Sequence, residues 1–273
     1  MAVRVQSDGS PQACNSIFMT KTVAITNQKG GVGKTTVTLG LASAALAAGD
    51  TILVVDMDPQ ASATYSLGVD ASDQTLGTTD ALTDPKTTRA AIVESGWGEH
   101  VHVLPASRIL AERERENSRN ADLRLRRALG EVIDDYKLIL IDTPPSLGHN
   151  TLNALGAANF ALIVVELASH SLRGLTAVLD TIDDVWADLN PDLDIAGVLP
   201  NRVPPVSGEA DRRYDELADM VGRKAVWKPS VPQRSLINQA AGDRQPIHSF
   251  GYRARDLSDV FDAHWAKLRR LGR

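Results

Sequence analysis

Cysteine and long apolar runs are what this 273-residue chain has least of. Its one cysteine, Cys14, cannot form an internal disulfide and cannot supply the paired thiolates of an iron–sulfur cluster. No stretch approaches the roughly eighteen consecutive apolar residues of a membrane span. Residues 1–20 lack the basic start and the long apolar centre of a signal peptide. We therefore expect a protein of a reducing compartment, the cytoplasm.

Charge is unevenly distributed along the chain. The formal net charge is -5, yet residues 202–273 contain 14 Lys and Arg against 9 Asp and Glu. The preceding residues contain 15 Lys and Arg against 25 Asp and Glu, so the acidic excess lies entirely before residue 202. The basic C-terminal part is where we expect a polyanion to bind.

The pattern of apolar segments predicts an α/β fold. Residues 1–20 are polar and aperiodic, which indicates a flexible N-terminal extension, and residues 21–273 suffice for a single domain. Helical segments separate the apolar ones, so we predict a mostly parallel twisted sheet covered by helices on both faces. The predicted strands are residues 22–26, 51–55, 100–104, 138–141, 161–166 and 195–199.

A glycine-rich segment follows the first predicted strand and precedes a predicted helix over residues 36–48. It reads Lys29-Gly30-Gly31-Val32-Gly33-Lys34-Thr35-Thr36. Glycines let the backbone turn tightly and direct N–H groups at an anion, and the helix adds its positive end. In such a P-loop, Lys34 reaches the outer phosphates, the Thr35 hydroxyl binds Mg²⁺, and Thr36 begins the helix. Gln28 stands where the strict P-loop pattern has glycine. The loop is therefore a variant of that pattern, and a second lysine, Lys29, is its first residue.

Three aspartates follow predicted strands near this loop. Asp142 ends the strand 138–141 and precedes two prolines, which is a Walker B arrangement that holds Mg²⁺ directly or through water. Asp56 and Asp58 follow the strand 51–55. One of them can support the metal while the other orients or deprotonates the attacking water. A lone aspartate after a strand is commonly a turn residue, but three beside a P-loop indicate phosphate chemistry.

Two further segments have ordinary structural interpretations. Residues 112–127 are highly charged, and we interpret them as a solvated helix face. The last segment carries an apolar stripe at helical spacing, which favours a core-packing helix over a membrane-binding one. The stripe consists of Leu257, Val260, Phe261, His264, Trp265, Leu268 and Leu271.

Three motifs together resemble those of ParA-type partition ATPases, in the deviant Walker A group that also contains MinD. They are residues 29–36, Val-Val-Asp-Met-Asp-Pro-Gln at 54–60, and Leu-Ile-Asp-Thr-Pro-Pro-Ser at 140–146. The similarity runs from about Lys21 to the C-terminus. Pro59-Gln60 and Leu-Asn-Ala-Leu at 152–155 favour the ParA branch.

The resemblance implies an ATP-sandwich dimer in the nucleotide-bound state. Lys29 would cross to the partner's nucleotide, and Gly30 and Gly31 would allow close subunit approach. Lys34 and Thr35 would have the usual phosphate and Mg²⁺ roles. Asp58 would help to activate water, and Asp142 would support the metal.

The resemblance also implies how the base and the partners are bound. Asn201 falls where such proteins read adenine, and the loop 229–232, which ends at Pro232, would flank the base. ATP-driven dimerisation would create a surface for DNA of any sequence. A ParB-type partner would stimulate hydrolysis and release the dimer, so the protein would be associated with the bacterial nucleoid.

Five arginines are candidate contacts to DNA phosphates: Arg212, Arg213, Arg234, Arg253 and Arg255. Each is otherwise an ordinary solvated arginine, because phosphate binding requires clustering on one face. ParA proteins of this size often carry Pro-Arg-x-x-Arg, whereas this chain has Pro232-Gln-Arg-Ser-Leu236. The first twenty residues are too short for the helix-turn-helix region of ParA proteins that act as repressors.

Competing functions differ in what the sequence must supply. A MinD-like membrane ATPase is the main alternative, with the terminal helix as its anchor. A small-molecule kinase using the same loop is another, and it would transfer phosphate to an added metabolite. A redox ATPase like the nitrogenase iron protein needs paired cysteines, which are absent. Slow, partner-stimulated Mg·ATP hydrolysis is the function that we predict.

Overall fold

The computed structural model describes residues 20–115, 121–168, 171–204 and 208–272. The predicted N-terminal extension lies outside these residues, apart from Thr20. The strands within the described ranges are β1 Lys21–Thr26, β2 Ile52–Asp56, β3 Val93–Ser95, β4 Gly98–Leu104, β5 Leu138–Asp142, β6 Phe160–Glu166 and β7 Asp194–Asn201. These seven strands form one sheet in the spatial order β3-β4-β2-β5-β1-β6-β7, parallel except for the β3–β4 pair.

The predicted fold class is confirmed. Each of the six predicted strands is present, with ends that differ by at most two residues from the predicted ones. Strand β3 was not predicted; it is three residues long and pairs antiparallel with β4 at the edge of the sheet. A three-residue edge strand is too short to show alternation of apolar and polar residues.

Helices cover both faces of the sheet. The α-helices of the described residues are α1 Lys34–Ala47, α2 Ser62–Ser66, α3 Thr78–Thr83, α4 Thr88–Ala91, α5 Arg124–Gly130, α6 His149–Ala157, α7 Ser171–Asp188, α8 Gly208–Val221, α9 Ser235–Gly242 and α10 Arg255–Leu268. One face of the sheet packs against α1, α9 and α10, and the other packs against α5, α6, α7 and α8. A 3₁₀ segment, Ile247–Ala254, joins α9 to α10.

The apolar stripe near the C-terminus faces the core, as we predicted. Six of its seven members are at most 8% exposed, and α10 packs against α1. Leu271 is partly buried against the same cluster. In the charged stretch 112–127, the described part consists of 3₁₀ turns and the start of α5. There Leu125 is buried, so this part is not a purely solvated helix face.

An irregular segment, residues 225–233, closes the outer edge of β7. Trp227 N–H donates to Val198 O at 2.8 Å, and Val231 N–H donates to Pro200 O at 2.9 Å. Gly197 makes room for the Trp227 indole, because a Cβ at that position would lie 2.2 Å from Nε1. Edge strands need such cover to avoid pairing with other chains. Loop 229–232 is thereby placed beside the carboxyl end of β7.

Candidate nucleotide-binding site

The glycine-rich loop joins β1 to α1 at the carboxyl edge of the sheet, where ligands of such sheets bind. Gly33 caps α1 with φ 91°, a left-handed conformation that glycine adopts without strain. A Cβ at Gly33 would also lie 2.1 Å from Asn201 Nδ2, so the contact leaves no room for a side chain. The helix begins at Lys34, two residues before the predicted start. Its first-turn N–H groups and its positive end therefore face the loop, which suits an anion.

Lys34 is the buried cation of the loop. It is 7% exposed, and burial lowers its pKa, while the negative charges of Asp142 and Asp58 oppose that shift. These carboxylates therefore help to keep the ammonium charged in a site with little access to water. A cation held in this way is placed to interact with phosphate oxygens.

Asp142 lies at the centre of the site, at the end of β5. It is completely buried and accepts hydrogen bonds from Thr35 Oγ1 at 2.7 Å and from Thr38 Oγ1 at 3.1 Å. Burial, followed by the negative charge of Asp56, raises the pKa of Asp142 to about 7. The two aspartates are register neighbours on adjacent parallel strands. A bound cation would favour the ionised form of this carboxylate.

Asp56 organises the loop that follows β2. Its Oδ2 accepts from Thr64 N–H at 2.9 Å and Thr64 Oγ1 at 2.8 Å, and its Oδ1 accepts from Asp58 N–H at 3.0 Å. Burial is the main cause that raises its pKa, to about 6. Both of its oxygens are engaged within the protein, so Asp56 supports the chain that carries Asp58. The metal role that we predicted for Asp56 stays a prediction.

Asp58 differs from the other two aspartates in being partly exposed. Its Oδ1 accepts from Gln60 N–H at 2.9 Å, which forms the turn before α2. Its charge acts on Lys34. A partly hydrated carboxylate beside the phosphate loop can contact a water molecule, as activation of the attacking water requires.

The residues present fit Mg²⁺ bound together with a nucleotide. Among the described residues, no group of three or more His, Cys, Asp or Glu side chains could hold a metal ion. Mg²⁺ commonly takes one or two protein oxygens and completes its shell with water and substrate phosphates. Thr35 and Asp142 supply such oxygens, 2.7 Å apart. The Thr35–Asp142 pair therefore fits the protein part of a Mg·nucleotide site, and the metal roles predicted for these two residues stay predictions.

Asn201 ends β7, and loop 229–232 lies beside the same end of that strand. Asn201 is buried, and its Nδ2 donates to Val32 O at 2.7 Å. Its Oδ1 is buried and has no hydrogen-bond partner. An unsatisfied acceptor fits a donor such as the adenine amino group. Pro232 pairs with Val203 just beyond β7. The adenine contacts predicted for Asn201 and Pro232 stay predictions.

Sequence reasoning missed several polar residues of the site. Asn27 accepts from Lys29 N–H at 2.9 Å and donates to Val164 O at 2.6 Å, which fixes the start of the loop. Glu166 lies 3.5 Å from Lys29 Nζ, and both side chains are about one third exposed. Asn27 directly follows β1 and Glu166 ends β6, so their position at the carboxyl edge was the available signal. Thr38 and Thr64 carried no such signal.

The five candidate arginines fall into two groups. Arg234, Arg253 and Arg255 line one surface pocket of about 650 Å³, together with Tyr252, Asp256 and Asp259. Arg212 and Arg213 lie on α8, which packs on the opposite face of the sheet from α9 and α10. Arg213 forms ion pairs with Glu216 at 2.6 Å and Glu209 at 3.9 Å. The structure therefore brings three of the five together and separates the other two from them.

Sequence comparisons match most of the chain. A family model described as an AAA domain matches residues 20–195. The sporulation initiation inhibitor protein Soj of Bacillus subtilis is 36% identical over 246 residues, which are 89% of this chain and 96% of that protein. The chromosome partitioning protein ParA of Myxococcus xanthus is 36% identical over 227 residues, which are 82% of this chain and 80% of that protein.

Solved structures share the fold over nearly the whole chain. Cobyrinic acid a,c-diamide synthase from Mycobacterium smegmatis, solved with an ATP analogue and magnesium, matches with a TM-score of 0.78 and 30% identity. The match covers 93% of this chain and 97% of that chain. The ATP complex of a McdA variant from Cyanothece has a TM-score of 0.82 at 21% identity, over 92% and 96% of the two chains. The latter likeness supports the fold alone.

The P-loop, its buried aspartates and these matches agree on the chemistry. The protein is an ATPase, and the residues of its site fit ATP and Mg²⁺. Within the described part of the chain, none of the helices combines the length and apolar composition that crossing a membrane requires. Because relatives at 36% identity cover more than four fifths of it, the chain belongs to the ParA family of partition ATPases.

Proposed function

We propose that this partition ATPase forms a Mg·ATP-dependent homodimer that binds DNA of any sequence. Hydrolysis, stimulated by a ParB-type partner, then releases the dimer from the DNA. The cluster of Arg234, Arg253 and Arg255 carries the proposal, because three guanidinium groups that line one pocket can contact neighbouring phosphates. The dependence on ATP is supported by packing: α10, which begins at Arg255, packs against α1, whose N-terminus forms the phosphate site.

Each residue of the ATP site has a distinct proposed role in hydrolysis. Lys34 holds the outer phosphates and neutralises charge that develops there. The Thr35 hydroxyl and Asp142 hold Mg²⁺, which supplies charge neutralisation when it is bound. Asp58 orients the attacking water and accepts its proton. Asp56 holds the Asp58 loop through its bond to the Asp58 N–H.

Lys29 is proposed to exchange partners when two subunits meet. In the single chain its ammonium lies 3.5 Å from Glu166 Oε2, and the pair is partly exposed. An exposed ion pair of this kind contributes only about 0–1 kcal/mol, so a phosphate of the facing subunit can replace the carboxylate. Gly30 and Gly31 are exposed at the mouth of the loop, which lets a second chain approach closely. The dimer would therefore be completed by Lys29 of each subunit.

The burial of α10 argues against the membrane-binding alternative. Its anchor would be the apolar stripe of α10, and the stripe is buried against α1 rather than exposed. Exposing it would remove Phe261 and Trp265 from the core. The arginine surface, in contrast, is already accessible.

The proposal is tested by measuring binding to random-sequence duplex DNA without nucleotide, with ADP, with ATP and with a non-hydrolysable analogue. Anionic liposomes and a metabolite mixture are tested in parallel. We expect DNA binding that requires the triphosphate, weakens steeply with salt, and coincides with a doubling of molecular mass in light scattering. Inorganic phosphate should be the product of hydrolysis.

Three results would contradict the proposal. Liposome binding without DNA binding would favour the MinD-like function. Transfer of phosphate to a metabolite would indicate a kinase. Equal DNA binding with ADP and ATP would remove the nucleotide switch while leaving the ATPase itself intact.

A further inference from the structure

We propose that His264 is a positioning residue for the end of the ATP site that holds the base, and that it acts through the carbonyl group of Pro229. The inference rests on the proposed ATPase function and on the predicted placement of adenine beside Asn201 and Pro232. His264 lies on α10, in the helix layer that also contains α1. Among the described residues, no hydrogen bond joins His264 to the phosphate loop or to Asp58, so we assign its influence to the bond with loop 229–232.

The hydrogen bond to Pro229 fixes the tautomer of His264. The ring is completely buried, and its Nε2 lies 2.8 Å from Pro229 O. A carbonyl oxygen can only accept, so Nε2 carries the proton and donates it. Burial lowers the pKa of His264 to about 4, which keeps the ring neutral at pH 7. Nδ1 is then an acceptor, and it is buried without a partner.

Packing holds the ring in this orientation. His264 stacks on Trp227 with ring centroids 5.3 Å apart and an interplanar angle of 28°. The Trp227 indole is itself fixed by its bond to Ala196 O at 2.9 Å, and Lys267 Nζ lies 4.4 Å from an indole ring centroid. An apolar ring would pack here without an orphaned nitrogen, so packing alone does not account for histidine. The bond to Pro229 does.

Hydrogen bonds and short stretches of backbone connect Pro229 to the phosphate loop. Two residues after Pro229, Val231 N–H donates to Pro200 O at 2.9 Å, and Val203 N–H donates to Val231 O at 3.0 Å. Asn201 lies between Pro200 and Val203 in the chain, and its Nδ2 donates to Val32 O at 2.7 Å. Releasing Pro229 would therefore loosen the base-flanking loop beside Asn201. It would leave Lys34, Thr35 and Asp142 in place.

The test uses three single variants of the full chain. His264→Phe keeps an aromatic ring on Trp227 but cannot donate to Pro229, whereas His264→Gln restores an N–H donor. Trp265→Phe is the matched control, because it removes a different, partly buried hydrogen bond of the same helix, from Trp265 Nε1 to Asp50 at 3.0 Å. The measurements are KM and kcat with ATP and with GTP, and the Tm of each variant, all without DNA.

We expect His264→Phe to raise KM for ATP by about 2- to 10-fold, the range for the removal of one hydrogen bond, with kcat within about 2-fold. When chemistry is slow, KM reports nucleotide affinity, so this split indicates binding rather than catalysis. The preference for ATP over GTP should fall together with affinity. His264→Gln should recover most of the affinity for ATP and most of the preference for ATP over GTP. Trp265→Phe should lower Tm without raising KM.

Other results would overturn the inference. An unchanged KM in His264→Phe, or an equal rise in Trp265→Phe, would reduce His264 to a core residue. Asn201→Ala separates the inference from its premise. If Asn201→Ala leaves the preference for ATP unchanged, the base does not bind beside Asn201. The predicted placement of the base and the role of His264 are then both wrong. If Asn201→Ala lowers the preference for ATP but His264→Phe changes neither KM nor this preference, only the role of His264 is wrong. Failure of DNA binding leaves this test unaffected.

Discussion

The charges of the nucleotide site and those of the arginine surface are held in different ways. Asp56 and Asp142 are completely buried, and each accepts at least two hydrogen bonds from threonine or backbone groups. Arg234, in contrast, is 44% exposed and pairs with Asp256 at 3.2 Å, and Arg253 donates to Gln239 at 2.9 Å. The fold fixes a single arrangement of the first set, whereas the second set lies at the surface, where water and salt reach the guanidinium groups.

This difference predicts how each region responds to substitution. A buried, fully bonded charge interacts strongly because little water screens it, and no neighbour can replace it. Exposed charges contribute additively and are screened by salt, with a Debye length of about 8 Å at physiological ionic strength. Single substitutions should therefore have large effects at the nucleotide site, whereas the arginines should act as a group.

Asp58→Ala should produce the largest effect, a loss of about 10²- to 10⁴-fold in ATP hydrolysis, because the proposed general base is removed. ATP binding and ATP-dependent dimerisation should persist. Phosphate release and light scattering measure the two properties. Asp58→Asn is the control for the turn, since it keeps an oxygen that accepts from Gln60 N–H. Hydrolysis at the parental rate in either variant would exclude the water-activating role.

Lys34→Ala should lower affinity for Mg·ATP by about 10- to 100-fold, because a charge-assisted hydrogen bond to phosphate is removed from a buried site. Calorimetric titration with ATP and ADP measures this change. Lys29→Ala sharpens the result, because it should bind ATP nearly as well as the parent but fail to form the ATP-dependent dimer. Equal losses of affinity in the two lysine variants would contradict their separate roles.

Replacing Arg234, Arg253 and Arg255 together with alanine should weaken DNA binding. The slope of log K against log salt should fall by about 0.9 for each phosphate that the variant no longer binds. ATP hydrolysis without DNA should be unchanged, because none of the three lies at the phosphate loop. The matched control is Arg212→Ala with Arg213→Ala on the opposite face. The same decrease of slope in the control would show that the pocket is not the DNA surface.

Asp256→Asn should have the smallest effect, an increase of at most about 5-fold in DNA affinity, the range for an exposed ion pair. Removing the carboxylate frees Arg234 for phosphate. Asp219→Asn on α8 makes the same change of net charge away from the pocket, so it should raise affinity less. DNA titrations at one salt concentration compare the two variants. Equal increases would indicate a general charge effect.

Most of the fold and the presence of a phosphate loop could be predicted from the sequence, because they depend on local patterns. Apolar runs identify buried parallel strands, and Gly31 and Gly33 with Lys34 identify the phosphate loop. The short strand β3 could not be predicted, since three residues show no period. The stripe of α10 was assignable because its spacing matches one helical face.

Contacts between residues far apart in the chain could not be predicted in this way. Glu166 meets Lys29 across 137 positions, and Asn201 meets Val32 across 169 positions. His264 reaches Pro229 only because α10 packs behind the irregular edge of the sheet. None of these residues belongs to a local pattern that requires its partner.

The sequence by itself determined the chemistry, since a phosphate cradle with Lys34, Thr35 and the aspartates that follow two strands needs only short-range order. Tertiary structure alone decided which charges act together. It buried Asp56 beside Asp142, and it placed Arg234 with Arg253 and Arg255 on one surface while Arg212 went to the other face of the sheet. The physical reason is that strand order and helix packing set distances between groups that the linear chain leaves unrelated.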